Sequence, residues 1–295
     1  MSRPAPVFIH SPRYAVSIGD HVFPTRKFAL AADILKGRGA FVEPELPSRE
    51  DLLLAHAPAW ADKVIGTAPM TLEEQTRAEL PFSPAVSAAH RLAYAGTLLA
   101  CRRALKEGVG LHVGGGSHHA FSDHGEGFCL LNDIAGGILK MIAEKRLRRA
   151  AVVDLDVHQG NGTAAIFRGR PEVFTFSMHQ KGIYPEIPTP GSLDVDLPAG
   201  CRDREYLKRL EEHLPRVFAA RPELIVYQAG VDSAEDDLLG GLKLTTAGLE
   251  RRDHLVQDAC RSLNVPVAVT LGGGYSEDVR ETARRHARTL LIFSV

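Results

Sequence analysis

Apolar residues along this chain follow two rhythms. Short, nearly unbroken runs at GLHV (110–113), AAVVDLDV (150–157), EVFTFSM (172–178), ELIVYQAG (223–230) and PVAVTLGGG (266–274) read as strands covered on both faces. Between them lie longer stretches with helical spacing. The clearest spans 83–108, with Ser83 as N-cap, Pro84 in the first turn and Gly108 closing it. Others run from Asp133 to Arg148, Asp203 to Ala220, Thr245 to Leu263 and Ser276 to Ile292; in the stretch from Thr245, Leu249, Val256, Cys260 and Leu263 share a face. Strand and helix in alternation predict an α/β fold, a parallel sheet with helices on both faces. The first 80 residues are more helical and proline-rich and are expected to wrap that sheet. With no linker, repeat or low-complexity tract, residues 1–295 read as one catalytic domain.

Composition narrows the function. The 35 basic and 36 acidic residues leave a formal charge of -1, which argues against a nucleic-acid surface. The basic run 145–149 reads as a solvated helix terminus. No window is long and apolar enough for a signal peptide or a membrane span, and the four cysteines, 101, 129, 201 and 260, form no CxxC pair. Free thiols in a reducing compartment, by default the cytoplasm, are expected.

Ligands in such sheets bind beyond the carboxyl ends of strands. Four of the predicted strands end in residues able to do chemistry. After GLHV comes GGGSHH, which places His118 and His119 side by side on a flexible backbone. In VVDLDVHQGNG, Asp154, Asp156 and His158 alternate with apolar residues; if the strand continues that far, all three face one way. Two carboxylates and an imidazole on one face suit a bound cation, and Asp and neutral His are zinc ligands. A water-facing strand end, or a carboxylate capping a helix near Gly162, reads equally from those residues alone. Asp232 follows the next run as a third ligand or a helix cap, and Glu235, Asp236 and Asp237 read as a solvated loop or helix start. The last run ends in LGGGYS, where Tyr275 is placed to donate to a developing oxyanion.

Taken together these segments resemble the zinc-dependent histone deacetylases and their bacterial deacylase relatives. GGGSHH, GFCLLND, DLDVHQGNG, YPEIPTPGSLDVDLP, AGVDS with DDLLGGLKLT, and LGGGYS occur in the family's order, roughly from residue 5 to 292. HQGNG, LGGL and the early SPRY are most similar to class IV, the smallest branch. The resemblance implies the arginase/deacetylase fold, with a parallel sheet of about eight strands. It implies one zinc ion held by Asp156, His158 and Asp232, a tandem pair at His118 and His119, and a catalytic tyrosine at Tyr275. Phe128 and Tyr184 match walls of a narrow acyl-lysine tunnel, Gly127 a backbone group beside it, and Leu239 its mouth. A structural potassium ion would take oxygens from Asp154 and Ser177 and the carbonyls of Asp156, His158 and Met178. One position departs from class I: Asn161 stands where a carboxylate supports the second histidine, as class IV members also have it.

The reaction so implied is hydrolysis of acylated lysine, or of a small acylated amine, with His119 as general base, His118 kept cationic by Asp154, and Tyr275 as oxyanion donor. Cys129 as nucleophile would leave the metal ligands unexplained. A two-manganese ureohydrolase would need further carboxylates where Val231-Asp232-Ser233 stands. An inactive acyl-lysine binding module would be expected to lack a histidine or the tyrosine. Acyl-chain length, natural substrate and oligomeric state are not encoded in these patterns.

Overall fold

A computed structural model of the chain describes residues 5–295. Eight parallel strands form one sheet: β1 (Val7–Ile9), β2 (Ala40–Val42), β3 (Val109–His112), β4 (Ala150–Asp154), β5 (Val173–Gln180), β6 (Leu193–Leu197), β7 (Ile225–Gln228) and β8 (Val267–Thr270). Their order across the sheet is β2-β1-β3-β8-β7-β4-β5-β6. The four strands whose ends carry candidate chemistry, β3, β8, β7 and β4, are therefore consecutive. At about 4.8 Å per strand their tips span roughly 14 Å, close enough to share one site.

The unbroken apolar runs follow from burial on both faces. In β4, Ala151 and Val153 pack in one core cluster with the helices Asp203–Ala219, Thr246–Ser262 and Val279–Phe293. Ala150 and Val152 turn the other way, toward the helices Pro84–Glu107 and Asp133–Ala143. Burying each such valine contributes about 1.5–3 kcal/mol. The Pro84–Glu107 helix keeps its predicted bounds: Ser83 accepts from Val86 N, Pro84 sits in the first turn, and Gly108 closes it at φ +87°.

Several expectations need correction. Residues 7–42 do not only wrap the sheet; β1 and β2 extend it. Strand β4 stops at Asp154, so Asp156 and His158 stand on the loop beyond it. The helix from Asp133 ends at Ala143, short of the basic run. Leu263 is 57% exposed, because the helix ends at Ser262 and the apolar stripe with it. Asp232 caps no helix; the segment after it is a chain of turns in which Asp237 is buried. Among the described residues, no helix is long and apolar enough to cross a membrane.

Candidate active site

Asp156, His158 and Asp232 meet at the strand tips, all buried. His158 Nδ1 lies 3.2 Å from Asp156 Oδ1 and 3.3 Å from Asp232 Oδ2. Donors about 2.0–2.1 Å from one ion at tetrahedral angles stand about 3.3 Å apart, so the spacing fits zinc. The remaining lone pairs are taken. Asp156 Oδ2 accepts from Gly273 N and Gln228 Nε2, both at 2.8 Å, and Asp232 Oδ1 accepts from Val157 N at 2.8 Å. Asp232 Oδ2, which points into the cluster, has no hydrogen-bond partner. Burial, and then the Asp156 charge, push the Asp232 carboxyl above its usual range. Two buried carboxylates this close favour a cation between them, and the donor set is one that zinc accepts. Gly273 must be glycine here, because a Cβ would collide with Asp232 Oδ2.

The tandem histidines have unlike supports. His118 Nδ1 lies 2.7 Å from Asp154 Oδ2, and His119 Nδ1 lies 2.7 Å from Asn161 Oδ1. Both rings are buried, so desolvation opposes protonation in each and the partner decides. For His118, Asp154 and Asp156 outweigh burial and raise the imidazole to about 9. For His119, burial and the charges of His118 and His158 hold it well below 6.5, against a weak upward pull from Asn161. The two rings thus have opposite protonation preferences, His118 toward the imidazolium and His119 toward the neutral imidazole.

An apolar cavity of about 260 Å³ leads to this cluster. Tyr184, Gly127, Phe128 and Leu239 line it together with both histidines, Asp156, His158 and Tyr275. Tyr184 stands edge-on to His119, with ring centres 4.8 Å apart at 88°. Gly127 adopts φ +49°, and a Cβ there would meet His119 at 2.7 Å and Tyr184 at 2.9 Å. Asp154 and Ser177 are register partners across β4 and β5, and Met178 is the next residue of β5. Cys129 is buried, and burial pushes its thiol up to about 12, far from a nucleophile's range.

Four supporting groups escaped the sequence reading. Lys27, fully buried, donates to Gly272 O at 2.9 Å and Gly274 O at 3.3 Å in the loop that carries Tyr275. Asp237 accepts from Tyr275 N at 2.7 Å and from Leu239 N and Gly240 N at 2.9 Å, so it is no part of a solvated acidic run. Arg252 donates to Gly230 O at 2.6 Å and Leu155 O at 3.4 Å, tying together the loops that carry Asp156 and Asp232. Glu126 accepts from Asn161 Nδ2 and from the Tyr184 hydroxyl, each at 2.7 Å. The acidic run and the GEG sequence were visible signals for Asp237 and Glu126; the lone Lys27 and Arg252 carried none.

A family model described as a histone deacetylase domain matches residues 21–290. An uncharacterised protein of Picosynechococcus sp. is 39% identical over 290 residues, 96% of each chain. Histone deacetylase 2 of Arabidopsis thaliana is 31% identical over 272 residues, covering 86% of this chain and 70% of that protein. The acetoin utilization protein AcuC of Bacillus subtilis is 30% identical over 315 residues, covering 97% and 81%. The crystal structure of the HDA15 HD domain shares the fold, with a TM-score of 0.80 at 24% identity over 98% of this chain and 88% of that one.

Proposed function

Since the chain belongs to the histone deacetylase family of hydrolases, we propose that it is a zinc-dependent amidohydrolase that removes acyl groups, acetyl or longer, from lysine side chains. One observation carries this reading: three ligand atoms spaced for a single ion lie beside two histidines of opposite protonation preference, at the end of an apolar cavity. Asp156, His158 and Asp232 would hold the ion, which would supply Lewis acidity to the amide carbonyl and to a water.

The protein's own groups do the rest. Tyr184 and Phe128 grip the aliphatic stem of the lysine, with the Gly127 backbone beside it and Leu239 at the mouth. His119, neutral and with Nε2 free, removes the proton from the attacking water and delivers it to the departing amine. His118, held as imidazolium by Asp154, stabilises negative charge on the carbonyl oxygen, and the Tyr275 hydroxyl donates to that oxygen. Asp154 and Ser177, with the carbonyls of Asp156, His158 and Met178, would hold a structural potassium ion.

The same cavity is lined also by Tyr14, Phe28, Ala89 and Ala93. That additional apolar lining supports acyl groups longer than acetyl. The decisive experiment is a panel of lysine peptides bearing acetyl through myristoyl groups, with acetylated polyamines alongside, assayed with and without a chelator. The expected result is metal-dependent release of acyl groups from peptides, at least as fast for medium and long chains as for acetyl. Zinc-loaded protein that cleaves only polyamines reassigns the substrate, and protein that cleaves nothing on the panel defeats the reading.

A further inference from the structure

We infer that Glu126 is a positioning residue that sets the proton-accepting tautomer of His119 through Asn161, an inference that rests on the deacylase reading above. The three residues form a chain of hydrogen bonds in which each assignment forces the next. Glu126 is half-buried at the turn after the histidine pair. Burial alone would raise its carboxyl, but hydrogen bonds from His124, Tyr184 and Asn161 outweigh it and hold Glu126 ionised. His124 Nε2 lies 3.5 Å from Oε2, and the remaining charged neighbour is Glu79.

An ionised carboxylate only accepts. The Asn161 atom 2.7 Å away must therefore be the amide nitrogen, and the carbonyl oxygen of the same amide must face His119 Nδ1, also at 2.7 Å. That oxygen only accepts too, so His119 carries its proton on Nδ1 and keeps Nε2 bare. Were the asparagine amide to turn over, its NH₂ would face Nδ1, the proton would move to Nε2, and the base would be blocked. Asparagine alone is indifferent between the two orientations; an aspartate in its place would not be, because both of its oxygens accept. Glu126 thus supplies, one residue further out, the directionality that the amide lacks. The same oxygen takes the Tyr184 hydroxyl, so one carboxylate aligns the base and the tunnel wall.

The test compares Glu126→Ala, Glu126→Gln and the double variant Glu126→Ala/Asn161→Asp. Removing the acceptor in Glu126→Ala should lower kcat about 10- to 100-fold with KM changed less than about threefold, within the range general-base catalysis contributes. Glu126→Gln offers an acceptor but also an NH₂ that can face Asn161, so it should restore the direction only in part and give a kcat between wild type and Glu126→Ala. The double variant should regain kcat to within about fivefold of wild type, since the introduced carboxylate directs His119 unaided. A second readout is independent of turnover: in metal-free protein labelled with ¹⁵N-histidine, His119 should be the Nδ1–H tautomer in wild type, a mixture in Glu126→Ala, and Nδ1–H again in the double variant. Unchanged kcat and tautomer in Glu126→Ala overturn the inference. So does a loss that Asn161→Asp fails to restore, which would mark a merely structural role. Wild-type protein without deacylase activity would defeat the functional reading instead, while the tautomer measurement would still judge the hydrogen-bond chain.

Discussion

The ammonium of Lys27 lies 4.9 Å from the centre of the Tyr275 ring and donates to the carbonyls of Gly272 and Gly274 on either side of Gly273. A buried cation from the first helix thereby pins the glycine loop that both carries the tyrosine and donates Gly273 N to Asp156. Burial lowers its basicity, while Asp232, Asp156 and Asp237 pull the other way. Lys27→Met keeps the volume and removes the pin. Tyr275 then loses its register, and kcat is expected to fall about 100-fold, the scale of an ångström-sized misplacement, with KM little altered. Steady-state kinetics on the best substrate of the peptide panel check this.

Asp232 yields a prediction of opposite sign for the two forms of the protein. Its carboxyl is destabilised by burial and by Asp156, so Asp232→Asn relieves repulsion in metal-free protein and should raise its melting temperature by a few degrees. The Oδ1 bond from Val157 N survives the change. Added zinc should then stabilise wild type but not the variant. Thermal scans with and without zinc read both effects, and a variant less stable than wild type without metal would contradict the repulsion between the two carboxylates.

The two histidines should not be equivalent. His119→Ala removes the proposed base and is expected to cost roughly 100- to 10,000-fold in kcat. His118→Ala removes a cation and should cost less, because its neighbours still bind the substrate oxygen. Rates for the two variants across pH decide the matter; a greater loss in His118→Ala would reverse the assigned roles. Cys129→Ala should keep full activity.

Acid should unfold this protein through histidines outside the catalytic pair. His56 is lowered to about 4 and His112 to about 3, in both cases chiefly by burial. His56 Nε2 accepts from Asn132 N, so it must be neutral when folded. Unfolded histidine titrates near 6.5, so below that pH the unfolded chain binds protons that the native state refuses. The stability contribution is complete above about pH 6.5 and is lost as pH falls toward 4, at about 1.4 kcal/mol per unit for each residue. Urea midpoints at pH 7.5 and 5 should differ strongly in wild type and less in His56→Gln.

Much of this could be read from the chain because the reactive residues follow directly on apolar runs. A run that ends in glycines or alternating carboxylates is a strand tip, and β3, β4, β7 and β8 all announce themselves so. Strands β1 and β2 escaped because three residues each are too few to show a rhythm. Strand β6 escaped because Asp194 and Asp196 alternate with its buried residues. Lys27 and Gly272 are 245 positions apart, and nothing near either one signals the other. Asp237 looked solvated because local charge density was the only available clue, while its true partners are the amides of Leu239 and Gly240 in its own turn and that of Tyr275 from the loop after β8. Glu126 is intermediate: its carboxylate was in plain view, but its purpose depends on an amide whose orientation only three-dimensional contacts determine.

The alternation in β6 has an effect on how the molecule meets its neighbours. A flat row of parallel strands ends in two open rims, each able to recruit a foreign strand. At the β6 rim, any incoming chain would have to settle over the exposed carboxylates of Asp194 and Asp196 and strip them of water. Replacing Asp196 by valine would weaken that deterrent while leaving the bonds that Asp194 accepts from Gln159 Nε2 and Gly191 N, and would favour sheet-to-sheet growth at this rim.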